Sequence, residues 1–121
     1  MAVEWDLADD HLLDMARSII RDHHEHLLEA RIAFLYRSEA SKSGGKLILG
    51  HAKRVSEDMK VLIDFDFLIW ISKPHFDNLE IDQQRALVDH ELCHCGRNIN
   101  EEWTIRKHDF EEFRAVIQRH G

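Results

Sequence analysis

The feature that most constrains this chain is the segment His90–His94, in which two histidines are separated by three residues. On an α-helix, positions i and i+4 lie one above the other, so both imidazoles can reach one cation. Two neutral imidazoles suit a borderline ion such as Zn²⁺. Glu91 lies beside the first histidine, where its carboxylate can accept a proton from a water at the metal. The pattern therefore predicts a helix that carries a zinc site, with Glu91 as general base.

The flanking sequence supports a helix at this motif, although a chain with 10 histidines can also produce the spacing by chance. The segment Asp82–Val88 consists largely of good helix formers, and Asp82 can serve as the N-cap. Gly96 follows the motif, where a helix C-terminus favours a residue that tolerates positive φ. We therefore expect a helix from Ile81 to Cys95.

Size and composition predict one ordinary globular domain, and we expect residues 1–121 to form it. The segment Met1–Asp6 is acidic, and the apolar stretch Phe67–Ile71 is too short to cross a membrane. Cys93 and Cys95 point away from each other on a helix, so they cannot form a disulfide. These features predict a cytoplasmic protein without a membrane partner.

The formal net charge of −7 argues against a general nucleic-acid binder, because phosphate contacts need a basic surface. The stretch Lys42–Arg54 is an exception, since it carries lysines and an arginine but no acidic residue. A solvated hairpin face explains this stretch at least as well as a phosphate track does. We therefore expect a protein or peptide partner, and Lys42–Arg54 leaves a nucleic-acid contact open.

The N-terminal part of the chain predicts a helix, because apolar residues recur at helical spacing over residues 5–28. Within this segment, His23–His26 contains three histidines and resembles a metal site. His24 has no histidine partner at position i+4, because position 28 is occupied by Leu28. We interpret the segment as a mostly solvated face, with His23 partly buried.

Three segments rich in β-branched and aromatic residues predict strands, at Ile32–Tyr36, Leu47–Val55 and Phe65–Ser72. Short connections favour antiparallel pairing. After His108, apolar residues at helical spacing predict a C-terminal helix. The expected fold is α+β, with a small three-stranded antiparallel sheet, an N-terminal helix, the helix of the histidine motif and a C-terminal helix.

A catalytic zinc needs a third protein ligand, and the segment after His94 offers few candidates. Asp109 and Glu112 have the spacing of a capping box, which gives Glu112 a structural role at a helix start. His108 has no such role, so we favour it as the third ligand. Glu111, Glu112 and Asp109 remain as groups that orient the ligands or replace His108.

Two motifs carry a resemblance to a known family: DHELCHC at Asp89–Cys95 and HDFEEF at His108–Phe113. Together with the turn Ser43–Lys46 they resemble the phage and prophage metallopeptidase family. More distantly, the chain is similar to SprT-like metalloproteases, in which HExxH is followed by a third histidine ahead of a helix. The resemblance implies a zincin-like fold with a strand along the cleft, and it supports His108 as a ligand.

The leading hypothesis is a zinc-dependent peptidase in which His90, His94 and His108 hold the metal and Glu91 moves the proton. A peptide substrate could lie extended along the strand Phe67–Ile71.

An oxyanion could be stabilised by Tyr36 or His75. The alternative to a peptidase is a catalytically silent, metal-stabilised binding or adaptor domain of phage origin, which would tolerate Glu91→Gln. A third reading, a chance HExxH motif, predicts no stoichiometric metal.

Overall fold

The computed structural model describes residues 2–106, and the elements below lie in that range. The helices are α1 (Asp10–His23), α2 (Lys73–Asp77) and α3 (Ile81–Cys93). The strands are β1 (Trp5–Leu7), β2 (Ile32–Arg37), β3 (Ser41–Ser43), β4 (Lys46–Ile48), β5 (Gly50–Arg54), β6 (Phe67–Ser72), β7 (Cys95–Arg97) and β8 (Trp103–Ile105). The predicted C-terminal helix lies outside the described residues, as do four predicted site residues: His108, Asp109, Glu111 and Glu112.

The main sheet has four strands in the order β1-β2-β6-β5, and β2 and β6 run parallel. The outer strands β1 and β5 are antiparallel to their neighbours. The α+β class is therefore confirmed, but the expected three-stranded antiparallel sheet was wrong. The long connection between β2 and β6, residues 38–66, allows a parallel pairing that a short hairpin would forbid.

The predicted strand Leu47–Val55 is divided between two sheets. Its first part belongs to β4, which forms a hairpin with β3, and its second part is β5, which pairs with β6 instead of β2. The hairpin turn contains Gly44 and Gly45 at φ values of 55° and 80°, a backbone region that glycine adopts without strain. The turn at Ser43–Lys46 is thus confirmed, and the strand after it is shorter than expected.

Helix α1 is shorter than the helical periodicity of residues 5–28 indicated. Trp5–Leu7 pairs with β2 as an edge strand, so its apolar residues serve the sheet instead of the helix. Asp9 starts the helix, since its Oδ1 accepts a hydrogen bond from the backbone N–H of Leu12 at 3.0 Å. After His23 the chain leaves the helix, and a short 3-10 turn follows at Glu25–Leu27.

One face of the main sheet forms the core with α1 and α3. Alternate residues of β2 and β6 are buried there in register, with Phe34 opposite Ile69 and Tyr36 opposite Ile71. The helices contribute the buried core side chains Leu12, Met15, Ala16 and Ile19 from α1, Phe76 from α2, and Val88 and Leu92 from α3. On the opposite face of the sheet, Trp70 packs against Trp5 with ring centroids 6.2 Å apart.

Buried polar groups fix α3 against the other helices. Gln84 accepts a hydrogen bond from the His11 ring at 2.9 Å and donates one to the Phe76 carbonyl at 2.8 Å. At the start of α3, the Gln83 side chain accepts a hydrogen bond from the backbone N–H of Glu80 at 3.1 Å. The N-cap is therefore Glu80 instead of the predicted Asp82.

The end of α3 also differs slightly from the prediction. The helix ends at Cys93 instead of Cys95, and His94 is its C-cap. None of the helices in residues 2–106 has the length and apolar character needed to cross a membrane.

Replacing Asp9 by Ala should lower the free energy of unfolding at pH 7 by about 1 kcal/mol, because α1 loses its cap. The Asp9 carboxylate also accepts a hydrogen bond from the Tyr36 hydroxyl at 2.9 Å. Burial alone would raise the pKa of Asp9, but its hydrogen bonds and the charges of Lys73 and His11 lower it. A lowered folded-state pKa gives stability that is present at neutral pH and lost in acid.

Urea unfolding at several pH values would test this prediction. Wild type and Asp9→Ala should differ at pH 7, and the difference should shrink below about pH 4 and vanish only when the pH falls through the lowered folded-state pKa of Asp9. Asp14→Ala is the matched control, since Asp14 forms an exposed ion pair with Arg17 on the same helix. Equal losses in the two variants at pH 7 would contradict a capping role for Asp9.

Candidate active site

A cleft of about 480 Å³ lies between the C-terminal half of α3 and the edge strand β5. Residues from the β4–β5 segment line one side, and the end of β8 closes the cleft. Its lining residues are Leu47, Ile48, Leu49, Gly50, His51, Ala52, Leu87, His90, Glu91, His94, Ile105 and Arg106. All three polar residues of the histidine motif thus face one cavity.

His90 and His94 occupy positions i and i+4 on α3 and its C-cap, so their rings lie on one side of the helix. The ring centroids are 5.0 Å apart and the ring planes are nearly perpendicular, at 89°. His94 is buried, whereas His90 is half-buried. This arrangement lets two imidazole nitrogens approach a single ion in the cleft.

The orientation of the His94 ring is set by the backbone of Arg106. The Nδ1 atom of His94 lies 2.6 Å from the Arg106 carbonyl oxygen, which can only accept a hydrogen bond, so Nδ1 must be the donor. The proton on Nδ1 leaves the lone pair of the neutral ring on Nε2, the form that a metal requires. The Arg106 N–H in turn donates to the His94 carbonyl at 2.6 Å.

Gly96 allows Arg106 to approach α3 this closely. A Cβ atom at Gly96 would lie 2.3 Å from Nε and 2.8 Å from Cζ of Arg106. Gly96 does not have a positive φ, so its predicted role as a left-handed helix cap was wrong. The glycine instead leaves space for the Arg106 side chain, which the hairpin of β7 and β8 brings directly over it.

The carboxylate of Glu91 is buried at the base of the cleft, with 5% of the residue exposed. Burial raises its pKa from the ordinary value of 4.5 to about 7. Gly50 of β5 provides the space for this side chain, since a Cβ at Gly50 would lie 3.0 Å from Oε2 of Glu91. A buried carboxylate beside two imidazoles can accept a proton and can also compensate the charge of a cation.

Strand β5, and not β6, lies along the cleft. β6 is paired with β2 on one side and with β5 on the other, so it has no edge for a substrate strand. The predicted substrate position along Phe67–Ile71 was therefore wrong. The continuous apolar run of that segment is explained by its central position, where both faces are covered.

The two oxyanion candidates from the sequence lie outside the lining of this cleft. Tyr36 donates a hydrogen bond to Asp9, and its burial together with this bond raises the pKa of its hydroxyl. The Nδ1 atom of His75 forms a hydrogen bond with the Ser72 hydroxyl at 2.8 Å. Neither residue is placed to contact a substrate between α3 and β5.

The histidine segment after α1 was also misinterpreted as a solvated face. His23 is exposed, but His24 is buried and its Nε2 lies 2.6 Å from Oδ1 of Asp89 on α3. His26 donates from Nε2 to the Cys95 carbonyl at 3.0 Å, and burial lowers the pKa of its ring. These contacts connect the segment after α1 to Asp89 and to Cys95, the first and last residues of the segment 89–95.

Three cleft residues escaped the sequence analysis: Gly50, His51 and Arg106. Burial lowers the pKa of His51, and the neighbouring positive charge of Lys53 lowers it further. Each owes its position to pairing between strands, which no local sequence pattern indicates.

The donor set suits a divalent metal. His94 presents the correct tautomer, and the buried Glu91 carboxylate lies beside the ligands to accept a proton or balance charge. Residues 2–106 place two of the predicted ligands, His90 and His94, in this cleft, and the predicted third ligand His108 lies outside that range.

Replacing Gly96 by Ala should weaken zinc binding by less than the roughly 10- to 100-fold that follows loss of a group orienting a metal ligand. The added methyl group meets the flexible end of the Arg106 side chain and not the carbonyl that holds the His94 ring. Competition with a chromophoric chelator would measure the affinity. The double variant Gly96→Ala/Arg106→Ala removes the clashing side chain and should recover any loss. A loss of more than about 10-fold that the double variant does not recover would contradict this prediction.

Comparison with known proteins gives one family match. The family model described as "Putative phage metallopeptidase" matches residues 3–121, which is nearly the whole chain. No curated protein and no solved structure gives a significant match. The cleft with its histidine pair and buried glutamate lies within the matched range. The chain therefore belongs to the phage metallopeptidase family.

Proposed function

We propose that this protein is a zinc-dependent peptidase with its active site in the cleft between α3 and β5. His90 and His94 are two ligands of the zinc, and Glu91 is the general base. One observation carries the proposal: the His94 ring is fixed through Nδ1 in the tautomer that binds a metal, beside a buried carboxylate in a cleft. The family match supports a metallopeptidase at the coarse level.

Zinc in this cleft would supply a Lewis acid that acidifies water and polarises the scissile carbonyl. The residues of the chain carry out the proton transfers. Glu91 accepts a proton from the attacking water and later delivers it to the leaving nitrogen. Its burial excludes bulk water from the carboxylate, and Gly50, which has no Cβ, allows the backbone of β5 to lie close to it.

The substrate is a peptide or protein segment that pairs with the outer edge of β5. This strand is terminal in the order of the main sheet and lines the cleft from Gly50 to Ala52. Backbone hydrogen bonds to such an edge align an extended peptide without selecting its sequence. Apolar residues from neighbouring elements, Leu47, Ile48 and Leu87, offer contacts for its side chains.

His108 is the third zinc ligand in this proposal, because it follows Arg106 after one residue and the Arg106 backbone contacts His94. The chain therefore returns to the cleft immediately before His108. Glu111 and Glu112 are the alternative ligands, and Asp109 is a candidate acceptor for a ligand N–H. We further propose that the protein acts in the host cytoplasm, where Cys93 and Cys95 remain reduced.

Elemental analysis of the purified chain tests the metal site. Wild type should contain about one zinc more per chain than His90→Ala, because the loss of one imidazole destroys the site. His108→Ala should lose the same zinc, whereas His120→Ala is the matched control and should retain it. Equal zinc in wild type and His90→Ala would overturn the cleft site, and zinc retained without His108 would transfer the third position to Glu111 or Glu112.

Replacement of Glu91 by Gln tests catalysis separately from metal binding. The variant should keep its zinc and lose roughly 10²- to 10⁴-fold in turnover, since the amide cannot accept the proton. Wild type and variant would be incubated with a complex peptide mixture, and mass spectrometry would identify newly formed termini. Peptides cleaved by wild type alone are the expected result.

The same comparison distinguishes the adaptor alternative. If zinc is bound but both proteins leave all peptides intact, the domain is a metal-stabilised binding module, and the peptidase proposal fails for this substrate class. If the variant cleaves as fast as wild type, Glu91 is not the general base.

Gly50→Ala should also lower turnover, because its methyl group would displace the Glu91 carboxylate.

A further inference from the structure

A second group of metal-ligating side chains lies outside the cleft. It consists of His24 at the end of α1 and Asp89 and Cys93 on α3, all of them buried. We propose that this group supplies three ligands for a divalent metal of the zinc type, which joins α1 to α3. The inference does not depend on catalysis in the cleft.

Helix α3 supports two sites because it carries two pairs of ligating residues at i and i+4, offset by one residue. His90 and His94 face the cleft, while Asp89 and Cys93 lie about 100° away around the helix axis. That rotation directs Asp89 and Cys93 toward the end of α1, where His24 meets them. The two sites therefore share a helix but no ligand.

The distances among the three donor atoms fit one ion. Nε2 of His24 lies 2.6 Å from Oδ1 of Asp89. The Cys93 sulfur lies 3.8 Å from that oxygen and 4.0 Å from that nitrogen. Tetrahedral zinc would need about 3.3 Å between nitrogen and oxygen and about 3.6 Å to the sulfur. Shifts of less than about 1 Å in side-chain positions convert the present arrangement to metal coordination.

The charges of the group also match a divalent ion. An aspartate and a cysteine thiolate supply two negative charges, which neutralise the ion, while His24 contributes a neutral imidazole. Neutrality matters because Asp89 is fully buried and His24 is 4% exposed, so an unbalanced charge would be costly there. Binding replaces the proton between His24 and Asp89 and the thiol proton of Cys93.

An ion at this position would stabilise the orientation of α3. The last turn of the helix carries Cys93 and is followed directly by His94, whose ring is a proposed ligand in the cleft. Fixing Cys93 and Asp89 to His24 therefore limits rotation of the helix turn that presents His90 and His94. Such a site is loaded during folding, since its ligands are shielded from solvent in the folded chain.

Cobalt substitution tests the proposal, because only a site with a thiolate ligand gives an intense sulfur-to-cobalt charge-transfer absorption. The full chain would be unfolded and refolded with Co²⁺ in wild type, Cys93→Ser and Cys95→Ser. We expect the absorption in wild type and in Cys95→Ser and its loss in Cys93→Ser. Cys95 is the matched control, since it is also buried but lies outside the group.

Zinc content gives the second measurement and separates this site from the one in the cleft. The double variant His90→Ala/His94→Ala should retain about one zinc per chain, and adding Cys93→Ser should remove it. Circular dichroism would establish that each variant is folded. Absence of the charge-transfer band in wild type, or its persistence in Cys93→Ser, would overturn the proposal. Loss of all zinc in the folded double variant would also overturn it. If the double variant retains zinc but wild type has no peptidase activity, only the proposed function of the cleft is overturned.

Discussion

Packing of Val88 and Leu92 against the main sheet fixes the rotation of α3, and the chemistry of the cleft depends on that rotation. Because successive helix residues are about 100° apart, burial of these two side chains determines where all others point. Glu91, His90 and the C-cap His94 are directed to the cleft beside β5. If α3 were rotated by one residue position, Asp89 and Cys93, which now face α1, would face the cleft in place of His90 and His94.

The hairpin of β7 and β8 supplies what the helix cannot provide by itself. Two imidazoles at helical spacing have freedom to rotate, and only a second contact fixes the tautomer. The hairpin returns the chain to His94, so that Arg106 binds both its ring and its carbonyl. Gly96 leaves room for this return. The site is therefore positioned partly by α3 and partly by a hairpin that begins where α3 ends.

The sequence predicted those features that depend on local spacing. The helix at Ile81–Cys93 was predicted from its helix-forming residues, and the common orientation of His90 and His94 follows from their i and i+4 spacing. Sheet order could not be predicted, because it depends on pairing between distant segments, as in the parallel contact of β2 with β6. Gly96 and Gly50 were missed as spacers for the same reason, since their neighbours Arg106 and Glu91 are remote in sequence. The periodicity of Trp5–Leu7 was helical, but an available sheet edge determined its structure.

The two buried carboxylates of α3 are balanced in different ways, and the difference matches their proposed roles. Oδ1 of Asp89 lies 2.6 Å from Nε2 of His24, so its carboxyl group has a hydrogen-bond partner within the core. Burial of Glu91 instead raises its pKa to about 7, so the folded chain holds this proton more tightly than the unfolded chain does. Ionisation of Glu91 therefore lowers the stability of the metal-free fold as the pH rises through about 4.5 to 7. A divalent ion in the cleft would offset that cost, so the fold retains a locally unfavourable group where the reaction requires one.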